Sequence, residues 1–251
     1  MNPRDHASVT AEERDLIEAE RDLPPPLGHS EGLLQVLGNP SLYPLCLQYF
    51  ANTYGFYFFI TWLPTYLMKA RGMATAELAI FSGLPLTLSA IADVSGGAAT
   101  DWLCRRFGTR LGNCGVGAGA YVLASLIMCM GAYVSNARMA GTLIAIGGAL
   151  SMFTLAPSWA TAIRLGGRNA AVMGATMNTL GQVGGILSPI VLAFLIREYN
   201  DWSLPVYVLS GLYLVAALCW LLINPARRDG MSHVGMTFPR TGQHPQSQPH
   251  T

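Results

Sequence analysis

The sequence predicts an all-α membrane protein whose core is a bundle of six transmembrane helices. Three observations lead to this fold class. Charged residues make up 12% of the 251 residues, about half of the roughly 25% found in soluble domains. Eight of the 14 acidic residues lie between Asp5 and Glu31, before the apolar part of the chain begins. The rest of the chain up to residue 224 is a series of long apolar runs.

Each apolar run is long enough to cross a bilayer, which requires ~20 mostly apolar residues. No sustained polar stripe runs along these segments, unlike the helices of a soluble core. They are also too long, and alternate too little, for the strands of a membrane barrel, so a helical bundle remains. The predicted spans are residues 42–68, 78–99, 111–134, 139–163, 170–196 and 203–224.

The segments outside the spans predict the organisation and orientation of the chain. Residues 41–225 form the transmembrane bundle, residues 1–40 an acidic tail, and residues 226–251 a disordered tail rich in Pro, Gln, His and Ser. One set of loops carries seven Lys and Arg residues and the other set carries four. Because basic loops stay in the cytoplasm, we expect an inner-membrane protein with both ends in the cytoplasm.

Several function classes find no support in the sequence. It contains no phosphate-binding glycine loop, no His/Cys/Asp cluster with metal spacing, and no Ser/His/Asp set within the spans. A basic nucleic-acid patch is also absent. The sequence therefore predicts a protein that is not an enzyme, needs no metal or other cofactor, and binds no nucleic acid.

Asp93 is the acidic residue deepest inside an apolar run. At 1.5 Å per residue it lies roughly 12 Å from Asp101 at the end of the span, which places it near the middle of the membrane. A carboxylate there costs about 2.5–3.5 kcal/mol on insertion scales, so Asp93 must face protein or a wet cavity. It either lines a cavity and couples an ion, or it only joins neighbouring helices.

Glycine pairs and glycine-rich stretches indicate close helix packing. Gly115, Gly117 and Gly119 form one candidate contact face, and Gly181 with Gly185 forms another. We expect packing within the bundle to use part of these faces. The rest are expected to receive helices from outside this chain.

Three segments together resemble the anion:cation symporter family of the major facilitator superfamily. Residues 97–108 (GAATDWLCRRFG) resemble the superfamily's loop signature between its eighth and ninth helices. Residues 58–67 (FFITWLPTYL) resemble the family's seventh helix, and residues 173–189 (MGATMNTLGQVGGILSP) resemble its eleventh. Members of that family have twelve helices in two halves. This chain resembles the C-terminal half over nearly its whole length.

The resemblance implies transport of small organic anions, such as sugar acids, together with protons, by alternating access. It implies substrate contacts from the seventh, tenth and eleventh family helices, and a cytoplasmic gating loop. The implied substrate residues are Asn52, Tyr57, Ser158, Trp159 and Asn178, and the implied gating loop comprises Gly97, Asp101, Arg105, Arg106 and Gly108.

The same resemblance predicts a partner, because the family holds its solute between two halves. That partner is an N-terminal six-helix half or a second copy of this chain, within the lipid bilayer. Two other hypotheses stay open: a self-associating six-helix membrane protein, and a non-transporting or truncated gene product.

Overall fold

The computed structural model describes residues 29–224, apart from the side chains of residues 29–31 and 76. Within that range the chain is helical and contains no strand, which confirms the all-α class. The predicted tail at residues 226–251, and most of the one at residues 1–40, lie outside the described residues. The helices are α1 (His29–Leu37), α2 (Leu42–Thr61), α3 (Leu63–Lys69), α4 (Thr75–Phe107), α5 (Val116–Tyr133), α6 (Ala137–Met152), α7 (Leu155–Gly166), α8 (Ala170–Tyr199) and α9 (Leu204–Leu222).

Two of the six predicted spans are each built from two helices. α2 and α3 meet at Trp62, and α6 and α7 meet at residues 153–154. Pro64 follows the first break and Pro157 the second. Proline has no amide hydrogen for the carbonyl four residues earlier and its ring collides with that carbonyl. The chain therefore bends just before each of these prolines, whereas Pro85 and Pro189 lie inside unbroken helices.

Four stretches of the described chain are long and apolar enough to cross a membrane by length and composition: Glu77–Phe107, Leu111–Tyr133, Ala137–Tyr199 and Leu204–Leu222. The 63-residue stretch contains two of the predicted spans in sequence, α6 with α7 and then α8. The α2–α3 pair is not among the four, because tyrosines, Gln48 and Asn52 lower the hydropathy of α2. All six predicted segments are helical, and the count of six membrane crossings stays a prediction.

The second glycine face is filled from within the chain. A Cβ added at Gly184 of α8 would overlap the Phe50 carbonyl oxygen of α2, so the two backbones touch there. Tyr49 covers Gly181 and Tyr57 covers Gly185 in the same way. Small residues at helix contacts allow this close approach in lipid.

The first glycine face is divided. Gly117 of α5 lies under the ring of the fully buried Trp220 of α9, whereas Gly119 has no atom of another residue within 4 Å of its Cβ position. The expectation that part of these faces is used internally is therefore correct.

Helix α4 stands apart from the others because very little of it is covered. In its most apolar stretch 6% of the residues are buried, against 56% for α5 and 50% for α9. Its exposed side chains include Ile80, Ile91 and Val94. α4 contacts the rest of the bundle through Gly96, against the Phe153 carbonyl, and through Phe81, which packs against Gly141 of α6.

Candidate functional site

The break between α6 and α7 creates a polar centre inside the bundle. The Ser151 carbonyl, at the end of α6, accepts hydrogen bonds from Asn52 Nδ2 at 2.9 Å and from Thr154 Oγ1 at 2.7 Å. Pro157 cannot donate to the Phe153 carbonyl, and this oxygen instead lies against Gly96 of α4. Helices α2 and α4 thus both meet the backbone of the break.

A second set of buried hydrogen bonds joins α2 to α7. Gln48 Nε2 donates to Ser158 Oγ at 3.1 Å, and Ser158 Oγ donates to the Thr154 carbonyl at 2.7 Å. Tyr121 of α5 donates its hydroxyl hydrogen to the Gln48 carbonyl at 3.1 Å. Gln48, Tyr121 and Ser158 are fully buried, so their polar atoms depend on one another rather than on solvent.

Asn52 and Ser158, two of the five expected substrate residues, belong to this buried layer. Asn52 is 4% exposed and Ser158 is 0% exposed. Their polar atoms are already engaged by the break and by Gln48. In this conformation neither one faces open space.

The other three expected residues lie on a more exposed rim. Trp159 and Tyr57 are 38% and 36% exposed, and Asn178 is half-buried. Trp159 packs edge-on against Tyr49, with ring centroids 6.2 Å apart, and its ring covers Gly174 of α8.

Helical spacing connects the rim residues on α8. Gly174, Asn178, Gly181 and Gly185 recur every three or four residues and share one face. Since Trp159, Tyr49 and Tyr57 cover the three glycines in turn, the Asn178 amide lies between Trp159 and Tyr49 along this face. Trp159 and Asn178 therefore lie about one turn apart along this face, whereas Tyr57 covers Gly185, roughly 16 Å from Gly174 along α8.

Asp93 lies close to the same region. It is half-buried on α4, one turn before Gly96 and Gly97, which contact the α6–α7 break and Ala156 of α7. Asp93 is thus placed beside the rim, with its carboxylate in no ion pair among residues 29–224.

The expected gating loop lies at the far end of α4. Asp101, Arg105 and Arg106 are exposed there and form no ion pair within the described range. Gly108 ends α4 with φ +86°, a backbone conformation that glycine adopts without steric cost. The ion pair that the described chain does contain, Glu77 with Arg138, joins α4 to α6 at the opposite end.

Sequence reasoning missed Tyr49 and Tyr121. Tyr49, Thr53 and Tyr57 recur every four residues along α2, which is the signal of one helix face. That signal could have placed Tyr49 next to Tyr57. No such signal exists for Tyr121, because its role depends on α5 lying behind α2.

Metal ligation has no support in the described chain. Residues 29–224 contain no group of three or more His, Cys, Asp or Glu side chains that could hold a metal ion. The chemistry of the site consists of amides, hydroxyls, aromatic rings and one carboxylate.

Comparison with known proteins agrees with these features. The chain is 33% identical over 183 residues to the probable sulfoacetate transporter SauU of Cupriavidus necator, covering 70% of this chain and 41% of that protein. It is 24% identical to the probable galactarate/D-glucarate transporter GarP of Escherichia coli, covering 88% of this chain and 52% of the relative. It is 25% identical to a hexuronate transporter of Bacillus subtilis, covering 68% and 41%.

These relatives are transporters and not enzymes, and the chain spans about half of their length or less. The sequence profile of the Major Facilitator Superfamily matches residues 3–189. The match extends over the loop signature and the polar centre, through the first part of α8. This chain therefore belongs to the major facilitator superfamily, a family of multi-pass membrane transporters.

Proposed function

We propose that this chain is the C-terminal half of a proton-coupled symporter for small organic anions such as sugar acids. The observation that carries the proposal is that Trp159 and Asn178, on the exposed rim, lie next to a buried polar centre that contains Ser158. An aromatic face and an amide suit a solute with a carbon skeleton and a carboxylate. The named substrates of the relatives, sulfoacetate, galactarate, D-glucarate and hexuronate, are all of this class.

The rim suggests how solute and proton could bind together. The Asn178 amide can donate a hydrogen bond to a solute carboxylate, but it cannot neutralise its charge. Asp93 beside the rim repels an anion when ionised and accepts it when protonated. Solute binding is therefore favoured after Asp93 gains a proton, which is the condition for symport.

Alternating access would expose this site to each side of the membrane in turn. Asn52 and Ser158 can reach a solute only after their bonds at the α6–α7 break exchange. We assign the break as the element that changes during that exchange, and residues 97–108 as the cytoplasmic gating loop. The excess of Arg in the loops on that side supports an inner-membrane orientation with both ends in the cytoplasm.

The test is uptake of labelled D-glucarate and sulfoacetate. Cells would make this chain alone or together with the N-terminal six helices of SauU. We expect uptake only in the second case, and it should require a proton gradient. Absence of uptake in both cases would contradict the proposal, given equal amounts of chain in the membrane.

The sparse cover of α4 also favours a second candidate function, a self-associating membrane protein. In the most apolar stretch of α4, 6% of the residues are buried, and this helix carries Asp93, which should not face lipid tails. A second copy could cover it. Uptake by the purified chain alone in liposomes would support this alternative over the half-transporter.

A further inference from the structure

Tyr121 is a fully buried residue that no solute reaches in this structure, yet it contacts the polar centre. It belongs to α5, and its hydroxyl lies 3.1 Å from the Gln48 carbonyl and 3.4 Å from Gln48 Oε1. It is 0% exposed. A hydroxyl buried in an apolar bundle is costly unless it is paired, so these bonds hold the Tyr121 ring in place.

The Tyr121 hydroxyl contacts both oxygens of Gln48. Its one hydrogen is shared between the backbone carbonyl at 3.1 Å and Oε1 at 3.4 Å. The Gln48 amide in turn contacts Ser158 Oγ, through Nε2 at 3.1 Å and Oε1 at 3.3 Å. Tyr121 thus restrains the side chain that binds α7.

The hydrogen bond between Gln48 and Ser158 lies next to a contact between two aromatic rings. Gln48 precedes Tyr49 on α2, and Ser158 precedes Trp159 on α7. The Gln48–Ser158 bond therefore joins the same two helix turns that carry Tyr49 and Trp159, whose rings meet edge-on at the rim.

We propose that Tyr121 is a positioning residue for the solute site, acting through Gln48 and Ser158 on the Trp159 indole. The inference rests on the proposed function for its effect on transport. Its structural part, the position of Trp159, does not depend on any solute.

A matched control is available in Tyr213 of α9. Its ring centroid lies 5.3 Å from that of Tyr121, and it is equally buried. Its hydroxyl has no hydrogen-bond partner among the described residues. Tyr121→Phe and Tyr213→Phe therefore each remove one buried hydroxyl, but only the first removes a bond to Gln48.

The first measurement is fluorine NMR of the full chain labelled with 5-fluorotryptophan in nanodiscs. The Trp159 resonance is assigned by its loss in Trp159→Phe. We expect Tyr121→Phe to shift or split this resonance, and Tyr213→Phe to leave it in place. An unchanged Trp159 resonance in Tyr121→Phe, or an equal change in both variants, would overturn the proposal.

The second measurement is the KM for D-glucarate uptake in the two-half preparation described above. Tyr121→Phe is expected to raise KM roughly fivefold, the effect of one net hydrogen bond, with the maximal rate unchanged relative to Tyr213→Phe. An equal KM in both variants would overturn the transport role. If the unsubstituted chain shows no uptake, the proposed function fails, and the fluorine spectrum alone decides on Tyr121.

Discussion

At the residue scale, the side-chain amides of Asn52 and Asn178 lie in two different environments. Asn52 donates to the Ser151 carbonyl at 2.9 Å and is buried, whereas Asn178 is half-buried and has no hydrogen-bond partner among the described side chains. The family resemblance implied that both are solute ligands. It could not separate them, because their burial depends on how α7 and α8 pack on α2.

This difference predicts that the same substitution, Asn to Asp, has different effects at the two positions. Asn52→Asp replaces the donor with an oxygen facing the Ser151 carbonyl, so we expect a loss of about 1–3 kcal/mol in unfolding free energy. Asn178→Asp should change stability by less than about 0.5 kcal/mol, yet abolish organic-anion uptake by charge repulsion. Thermal unfolding in detergent and uptake assays measure the two. Equal destabilisation would contradict the assignment of Asn52 to the buried layer.

Asp93 allows a separate test of proton coupling. Asp93→Asn keeps the shape of the side chain and removes its charge, so solute should bind without a proton. We expect net uptake to lose its dependence on the proton gradient, while exchange of labelled for unlabelled solute continues. Uptake that still responds to the gradient would show that Asp93 only packs against its neighbours, which the sequence left open.

At the element scale, Arg71 fastens the end of α5. Its guanidinium donates to the carbonyls of Val134 at 2.7 Å and Ala132 at 2.8 Å, and to the Tyr66 hydroxyl at 2.8 Å. Those carbonyls lie at the negative end of the α5 dipole. From the sequence alone Arg71 is only an arginine in a loop. Its contact with Val134, 63 residues later, depends on how the helices pack and could not be predicted.

Arg71→Ala should therefore be more harmful than the loss of another loop arginine. We expect a decrease of roughly 1.5–3 kcal/mol in unfolding free energy, the range for hydrogen bonds to a charged group. The control is Arg138→Ala, because Arg138 is 71% exposed in its ion pair with Glu77 and solvent-exposed ion pairs contribute little to stability. Similar melting temperatures for the two variants would contradict the inference that Arg71 stabilises the end of α5.

The α6–α7 break shows why helix boundaries were harder to predict than helices. Apolar length predicts residues 139–163 as one span. The position of the break four residues before Pro157 follows from the missing amide hydrogen. Its contact with Gly96, however, depends on the path of α4 and could not be read from the local sequence.

Gly96 should tolerate no side chain, whereas another glycine of α4 should. A Cβ at Gly96 would overlap the Phe153 carbonyl, while Gly83 has no atom within 4 Å of its Cβ position. Gly96→Ala is expected to cost about 1–3 kcal/mol through displacement of α4, and Gly83→Ala to be neutral. The folded fraction after heating in detergent distinguishes them.

At the scale of the whole molecule, the helices differ strongly in how much of their surface the rest of the chain covers. α5 and α9 are half covered, but α4 presents Ile80, Ile91 and Val94 on a helix with almost no cover. α4 also contains Asp93, which should not face lipid tails. We therefore expect protein rather than lipid against much of α4 in the proposed transporter.

Cysteine labelling tests this expectation with one exposed site on each kind of helix. The native side chains of Val94 on α4 and Leu218 on α9 are 77% and 61% exposed. Each would be changed to Cys in a chain whose five native cysteines have been replaced. A lipid-soluble maleimide should label both when the chain is alone. Co-expression of the N-terminal six helices of SauU should protect Val94→Cys and leave Leu218→Cys reactive. Disulfide-linked dimers of Val94→Cys would instead show that a second copy of this chain packs against α4. Labelling of both sites in every preparation would show that neither the N-terminal helices nor a second copy covers α4.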